Sequence, residues 1–354
     1  MKDDAELRAI IVALVPNTRV AAIVPLPAGP RAQTYRADVI ADGRAQTWFI
    51  KHFPEPSGHA TQEFDSHDRL RGVVGVTPTL IAADPQRRVL IVEYLTHALD
   101  LFVALQRSTD PLSVTRELGR LTARLATATH QPPPSVDDVA IRECSALAAA
   151  WPKVEAWAAQ LGVRGNDAVA AAVAAVLDRW AYPSKASLTQ GDPAPSNVVF
   201  LPDGQGRLVD FEYGAQRHVL ADLVQWWIRC PLPERWFESV VDEVRAAFVG
   251  NAIYADAEAF DDDLAYVATY AALYMFTWLP IDQTIADDPA WVGAWRARHA
   301  LLSSSSRGMR AARSAPHLLP LAEWLDALNS ALMRAWPASG DGAPDWNALV
   351  GKNG

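Results

Sequence analysis

Two acids and an amide at a fixed spacing are the residues of this sequence best suited to chemistry. Residues 188–200 read LTQGDPAPSNVVF, with Asp192 and Asn197 around two prolines, and Asp210 follows in the run VDFEY. Phosphoryl transfer from a nucleotide needs one carboxylate to accept the proton of an attacking hydroxyl, and an amide with a second carboxylate to hold Mg²⁺. On Asp192 alone an ordinary turn is the simpler interpretation. The set of three favours phosphoryl transfer, and the prolines predict a rigid backbone around it.

Local patterns predict the elements that position these side chains. The runs NVVFL and GRLVDFEY, joined by the turn PDGQ, predict a hairpin that brings Asp192, Asn197 and Asp210 near one another. Residues 19–53 alternate apolar and β-branched runs with turns, which predicts an antiparallel meander. A helix ending near Gly72 and the buried strand RVLIVEYL complete this β-rich part.

From about residue 98 the patterns are helical, and that hairpin is the only strand pair predicted there. The run SSSS at 303–306 predicts a break in a helix. The chain is therefore predicted to be an α+β protein with two lobes. A small N-terminal lobe spans 1–95, a larger mainly helical lobe spans 96–340, and 341–354 form a loose tail.

Composition narrows the function classes. The chain has 354 residues, a net charge of −9 and no cluster of basic residues with interleaved aromatics, which argues against nucleic-acid binding. Its two cysteines do not form a disulfide framework, and no signal peptide is apparent at the N-terminus, so a cytoplasmic location is expected. The uncharged run 264–281 lacks basic flanks and is better explained as a buried helix than as a membrane span. The oligomeric state stays open.

The motif spacing resembles a known superfamily. The segment from Gln190 through Asp192 to Asn197, followed by Asp210, looks like the catalytic loop and metal motif of the aminoglycoside phosphotransferase and choline kinase superfamily. These are small-molecule kinases with a protein-kinase-like fold. The resemblance implies ATP and Mg²⁺ as cofactors, Asp192 as the catalytic base, and Asn197 and Asp210 as metal ligands. It also implies a mainly structural role for Asp222.

The N-terminal lobe carries matching positions. Lys51 ends a strand where the superfamily has the lysine that pairs with the nucleotide phosphates, and Glu63 lies in the next helix as the acid that would orient it. Gly29 belongs to the expected phosphate loop. Glu93 and Leu95 fall where the adenine-contacting hinge is expected.

Three departures from the superfamily pattern are visible. Gln190 replaces a histidine that generally supports the loop by packing and hydrogen bonding. The phosphate loop LPAGPRAQTY has a single glycine, so backbone amides between residues 30 and 34 are expected to cradle the phosphates. The run DFE is similar to the choline kinase branch. None of these removes a catalytic function.

The acceptor is expected to be the hydroxyl of a small molecule. Aromatic residues and acids after Asp210 would suit an amino sugar or an alkylammonium group, although core packing and a solvated face explain most of them individually. These candidates are Trp226, Trp227, Trp278, Trp291, Trp295, Asp261 to Asp263, Asp282, Asp287 and Asp288. An aminoglycoside or amino sugar is the first expectation, and a choline or ethanolamine type acceptor is the alternative.

Two other classes are less favoured. A protein kinase needs an activation segment, yet Asp222 follows Asp210 after a short interval. A non-catalytic nucleotide-binding module would be expected to have lost Asp192, Asn197 or Asp210. The histidines show no zinc-binding spacing, and His218 is expected at a helix entry rather than against substrate.

Overall fold

A computed structural model describes residues 4–27, 29, 31–130, 138–230, 232–279, 284, 288–291 and 296–336. By their contacts the residues form two compact units, Met1–Asp100 with Asn197–Gly214, and Leu101–Ser196 with Ala215–Gly354. The first boundary lies close to the expected one after residue 95. The hairpin of Asn197 and Asp210, which the sequence assigned to the second lobe, groups with the first unit. The expected tail, 341–354, lies outside the described residues.

The first unit is built on an antiparallel sheet. Its elements are α1 (Asp4–Leu14), β1 (Thr18–Pro25), β2 (Gln33–Ala41), β3 (Arg44–His52), α2 (Gly58–Arg69), β4 (Leu80–Asp84), β5 (Val89–Glu93) and β6 (Leu99–Asp100), together with β8 (Val198–Phe200) and β9 (Gly206–Leu208). The strand order of the main sheet is β1-β2-β3-β5-β4. The predicted meander over 19–53 is confirmed, because each pair of neighbours in β1 to β3 is a hairpin pair.

Alternation along the strands gives the sheet two apolar faces. In β2, Tyr35, Ala37, Val39 and Ala41 are buried and pack with residues of α1. Phe64 of α2 packs on the opposite face with strand residues of β3 and β5. Because the strand period is two, Lys51 shares the α2 face, and β3 therefore carries it toward that helix.

The second unit is mostly helical. Its elements are α3 (Leu101–Arg107), α4 (Pro111–Thr129), α5 (Asp138–Gln160), α6 (Asp167–Ala181), β7 (Ala186–Thr189), β10 (Ala215–His218), α7 (Ala221–Ile228), α8 (Glu234–Gly250) and α9 (Ala257–Trp278), and it ends with the helices Ala297–Arg313 and Leu319–Ala335. The helices α4 and α8 approach closely at Gly119, where a Cβ would come within 2.7 Å of the Val240 carbonyl oxygen. With the β-rich first unit, this confirms the predicted α+β class.

Two local predictions in the second unit are wrong. Strands β7 and β10 form an antiparallel pair that the sequence did not reveal, because all four residues of each are buried and no alternation marks them. The serines at 303–306 do not break a helix, since they lie inside Ala297–Arg313. Ser304 Oγ donates to the Ala272 carbonyl of α9 at 3.1 Å, so these small side chains serve close helix packing.

The uncharged run at 264–281 was expected to be a buried helix, and up to Trp278 it belongs to α9. Most of the α9 side chains from Phe260 to Phe276 are buried in the second unit. Within the described part of the chain, no helix is both long and apolar enough to span a bilayer.

Candidate active site

Lys51, Glu63 and Asp210 meet in the first unit. Lys51 Nζ donates to Glu63 Oε2 at 3.2 Å and to Asp210 Oδ1 at 2.5 Å. Glu63 also lies 3.5 Å from His67, one turn further along α2. The side chains of Lys51 and Glu63 are 9% and 2% exposed, whereas that of Asp210 is 38% exposed. The structure therefore brings together three residues predicted from separate segments of the sequence, and of the three only Asp210 has a side chain that is more than one-third exposed.

The charges of this cluster support one another. Burial alone would lower the pKa of Lys51, but the carboxylates of Glu63 and Asp210 outweigh it and raise the pKa. Burial would raise the pKa of Glu63, but hydrogen bonding to His67 and attraction to Lys51 lower it. Burial raises the pKa of Asp210, and Lys51 only partly opposes that effect. Lys51 therefore stays positively charged at neutral pH.

Asn197 and Asp210 are held by neighbouring strands. The Val209 amide donates to the Asn197 carbonyl at 3.0 Å, directly beyond the pair Val198 and Leu208 of β8 and β9. Asp210 has a φ of 63°, a left-handed conformation that is uncommon for residues other than glycine. Strained backbone of this kind is concentrated at functional sites.

The donor set of these residues fits Mg²⁺. An amide oxygen from Asn197 and a carboxylate from Asp210 are hard oxygen ligands, and Mg²⁺ usually needs only one or two carboxylates when phosphates and water supply the rest. Among the described residues there is no cluster of three or more His, Cys, Asp and Glu side chains that would hold a metal alone. A metal held by Asn197 and Asp210 would need further ligands in addition to these two.

Asp192 lies in the second unit, in the loop after β7. Gly191 has a φ of 80°, and the Asp192 amide donates to the side-chain oxygen of Gln190 at 2.9 Å. Asp222 of α7 accepts from the amides of Gln190 and Gly191 at 2.6 and 3.0 Å. Gln190 thus provides the hydrogen bonding expected of the histidine it replaces, and Asp222 has a direct structural contact with the loop.

Sequence reasoning missed a cation beside Asp192. Arg229 Nη1 lies 2.6 Å from Asp192 Oδ1, and the Arg229 guanidinium lies 4.5 Å from the centroid of the Trp278 ring. Arg229 follows α7 and carries no motif, so no pattern in the sequence marks it. Its position is fixed by the backbone, since its amide donates to the Gln225 carbonyl at 3.0 Å.

The phosphate loop differs from its expected form. Gly29 is exposed, has no positive φ, and a Cβ there would touch nothing within 4 Å, so neither space nor strain requires glycine. The expected amide cradle begins at residue 30, which lies outside the described residues and, as a proline, has no N–H to offer. Arg31 was overlooked: its Nη1 lies 2.5 Å from Glu212 Oε1, and its guanidinium packs on the Tyr213 ring.

One of the two expected hinge residues, Glu93, borders a cavity of the first unit, whereas Leu95 does not line it. Glu93 is exposed and its Oε2 accepts from the hydroxyl of Thr79 at 3.0 Å, while Leu95 is half-buried. The cavity has a volume of about 810 Å³, and its lining includes Glu93, Tyr94 and Thr47. It is large enough for a small ligand such as a nucleotide base.

The aromatic acceptor candidates separate by burial. Trp226 and Trp227 belong to the core, whereas Trp278 is 37% exposed and Trp291 is half-buried beside it. Trp295 lies outside the described residues. Trp278 is therefore the tryptophan of this set that best combines exposure with proximity to Arg229, and hence to the Asp192 loop.

The acidic candidates are mainly structural. Asp263 is buried and forms ion pairs with Arg179 and Lys185, and Asp261 pairs with Arg245 on the surface. His218 is also buried: its Nδ1 accepts from the Leu220 amide at the start of α7, as expected for a helix-entry residue. Asp288 Oδ1 accepts from the Arg298 amide at 2.9 Å. Asp282 and Asp287 lie outside the described residues.

Comparison with known proteins gives no match among protein-family models or curated protein sequences. Solved structures do match. The choline kinase of Streptococcus pneumoniae aligns with a TM-score of 0.51 at 14% identity, over 89% of this chain and 98% of that one. A choline/ethanolamine kinase family protein of Mesorhizobium loti aligns with a TM-score of 0.51 at 17% identity, over 92% and 99%.

A choline kinase of Cryptosporidium parvum aligns with a TM-score of 0.50 at 10% identity, over 98% of this chain and 99% of that one. The chain shares the fold of these kinases. At these identities the similarity establishes the fold, and the fold expected from the motif spacing is confirmed.

Proposed function

We propose that this protein transfers the γ-phosphate of ATP to a hydroxyl group of a small molecule. The observation that carries the proposal is the buried pairing of Lys51 with both Glu63 and Asp210. An isolated surface lysine would not sit on two carboxylates, whereas a lysine poised for nucleotide phosphates needs an orienting acid and a neighbouring metal ligand. The superfamily fold supports the same reaction class.

The nucleotide would be held by residues of the first unit. Lys51, oriented by Glu63, pairs with phosphate oxygens, and its raised pKa keeps it charged for this task. Asn197 and Asp210 would hold Mg²⁺, and the metal would neutralise charge that develops on the phosphates. The 38% exposure of the Asp210 side chain supports this role. The cavity beside Glu93 and Tyr94 is the proposed site of the adenine base.

Asp192 would act on the acceptor. Its carboxylate accepts the hydroxyl proton while the acceptor oxygen forms a bond to the γ-phosphorus and the bond from that phosphorus to the bridging oxygen of ADP breaks. Two amide bonds to Asp222 and one to Gln190 hold the loop, so the base does not need to be ordered during the reaction. The retention of Asp192, Asn197 and Asp210 argues against a non-catalytic module.

An aminoglycoside or amino sugar is the proposed acceptor, because exposed aromatic surface at Trp278 would support a sugar ring. Choline or ethanolamine is the second candidate. It is favoured by the DFEY sequence and by the solved structures, whose names describe choline kinases. The expected setting is a reducing cytoplasm with a soluble acceptor.

The test is acceptor-dependent release of ADP. Purified protein is mixed with Mg²⁺ and ATP and with kanamycin, gentamicin, glucosamine, choline or ethanolamine in turn. We expect one acceptor class to stimulate ADP release and to appear as a phosphorylated product by mass spectrometry. Release that is equal with and without every acceptor, and that persists in Asp192→Asn, would contradict the proposed function.

A further inference from the structure

The side chain of Arg229 is the feature beside the proposed base that the superfamily motifs do not account for. Its guanidinium lies 2.6 Å from Asp192 Oδ1 and 4.5 Å from the centre of the Trp278 ring. The Arg229 and Asp192 side chains are 25% and 22% exposed, so both remain accessible. Because a quarter of the Arg229 side chain is exposed and a guanidinium carries five N–H donors, Arg229 can donate to a ligand as well as to Asp192.

We propose that Arg229 is a specificity-determining residue of the acceptor site. It binds oxygen atoms that flank the reacting hydroxyl, as in a sugar, and it excludes acceptors that carry a positive charge beside that hydroxyl. The inference rests on the proposed function, because it presumes that Asp192 receives the hydroxyl proton. It favours an aminoglycoside or amino sugar over choline or ethanolamine as the acceptor.

The exclusion follows from charge. A guanidinium is protonated at every physiological pH, so a positive charge always lies beside the Asp192 carboxylate. In choline the two-carbon link keeps the ammonium within about 4 Å of the hydroxyl oxygen. An ammonium there would face Arg229 at short range in a partly buried site, where like charges repel strongly.

The aromatic surface leads to the same conclusion. Quaternary ammonium groups are commonly bound against the face of a tryptophan. Here the guanidinium of Arg229 already covers part of the Trp278 ring. An ammonium acceptor would therefore have to displace the Arg229 guanidinium from both the Asp192 carboxylate and the Trp278 ring. The contacts that it gained would only replace those that Arg229 lost.

The sugar preference follows from hydrogen-bond chemistry. The planar guanidinium presents its donors in a fork that matches pairs of oxygen atoms. A polyol places hydroxyl oxygens on the carbons next to the reacting one, where they can accept from Arg229 while the reacting hydroxyl donates to Asp192. An amino sugar fits as long as its ammonium groups lie away from the reacting hydroxyl.

The experiment compares acceptors that differ in charge alone. Choline and 3,3-dimethylbutan-1-ol have the same shape, but only choline is charged. Wild-type protein, Arg229→Gln and Arg229→Glu are assayed for ADP release with both alcohols and with kanamycin and N-acetylglucosamine. Arg245→Gln is the matched control, because Arg245 also pairs with a carboxylate, Asp261, and lies over an aromatic ring, Phe260.

The wild type should use the sugars and disfavour choline relative to its neutral analogue. Arg229→Glu should shift the ratio of kcat/KM for choline over the neutral analogue upward by about 100-fold, since it replaces a repelling charge with an attracting one. Arg229→Gln should raise KM for sugars with little change in the KM for ATP. A merely structural role for Arg229 would change both KM values and would not reorder the alcohols.

Binding measured by calorimetry, with a non-hydrolysable ATP analogue present, separates the two proposals. If no acceptor supports ADP release, the proposed function fails, and the preference of binding for sugars over choline still tests Arg229. Wild-type protein that binds or phosphorylates choline better than its neutral analogue overturns the inference. So does a charge preference that Arg229→Glu leaves unchanged while Arg245→Gln behaves as wild type.

Discussion

Asp210 in the first unit and Asp192 in the second are both carboxylates paired with a cation, but they are held in different ways. Asp210 pairs with the buried Lys51, which also pairs with the buried Glu63, and burial raises the pKa of Asp210. Asp192 lies on a loop whose backbone amides at Gln190 and Gly191 donate to Asp222. The side chain of Arg229, which pairs with Asp192, is partly exposed. In the proposed function, buried ion pairs would therefore fix the nucleotide end, whereas an accessible arginine would set the acceptor end.

The largest expected effect separates the two carboxylates by function. Asp192→Asn removes the proton acceptor but keeps the shape of the side chain, so kcat should fall by about 10³-fold. The KM for ATP should stay within about twofold of the wild-type value, because the residues proposed to bind ATP are untouched. Steady-state kinetics with the best acceptor measures both. A kcat close to that of the wild type would remove Asp192 from the role of base.

A second prediction concerns the contribution of the buried Asp263 carboxylate, in the second unit, to the stability of the protein. Asp263 pairs with Arg179 and Lys185 and faces His218 and Tyr254. Burial would raise the pKa of Asp263, but the surrounding cations and His218 lower it well below its usual range. Asp263→Asn should destabilise the protein by about 3 kcal/mol at pH 7, measured by urea unfolding.

The sign of its pH dependence follows from the lowered pKa. The carboxylate contributes stability above its unfolded pKa of about 3.9, and this contribution is lost as the pH falls below that value. The gap in unfolding free energy between wild type and Asp263→Asn should therefore narrow below pH 4. Asp262→Asn is the control, because Asp262 also contacts Arg179 but is half exposed. Equal losses in the two variants would show that burial of Asp263 does not matter.

A smaller effect is expected at the orienting acid of the first unit. Glu63→Gln keeps a hydrogen-bond acceptor near Lys51 but removes the charge, so the KM for ATP should rise by about tenfold, in line with 1.5–3 kcal/mol for a charged hydrogen bond. The acceptor KM should not change. Asp68→Asn, on the exposed side of the same helix, is the control. A change confined to the acceptor KM would contradict the assignment of this cluster to the nucleotide.

The smallest effect is expected at Arg31. Its side chain is 42% exposed and pairs with Glu212, so it contributes only a screened charge to the phosphate loop. Arg31→Gln should raise the KM for ATP by about threefold, and the effect should shrink with added salt. Arg71→Gln, an exposed pair with Asp68, should leave the KM unchanged. A larger effect at Arg31 than at Glu63 would reverse the proposed ranking.

The sequence predicts the candidate site residues that lie close to one another along the chain. Asp192, Asn197 and Asp210 lie in one loop and hairpin, so their spacing selects them, whereas Lys51 and Glu63 were selected by the resemblance to a known superfamily. Most strands and helices follow from periodicity for the same reason. The structure brings three of these residues, Lys51, Glu63 and Asp210, into contact.

The remaining features depend on contacts between distant positions. Arg31 meets Glu212 across 181 positions, and Arg229 meets Asp192 from the far end of α7, so neither pair lies in a readable motif. Strands β7 and β10 were missed because full burial hides the alternation of a half-exposed strand. The serine run was misread because composition cannot show that Ser304 packs against α9.

Calorimetric titration of Mg²⁺ and ATP into wild-type protein, Asp210→Asn and Asp192→Asn tests the division of work between the two carboxylates most directly. We expect Asp210→Asn to weaken Mg²⁺-dependent ATP binding by more than about 10-fold, since even outer partners of a metal contribute that much. Asp192→Asn should bind as tightly as the wild type. Equal losses in the two variants, or ATP binding that ignores Mg²⁺ in all three proteins, would contradict the account.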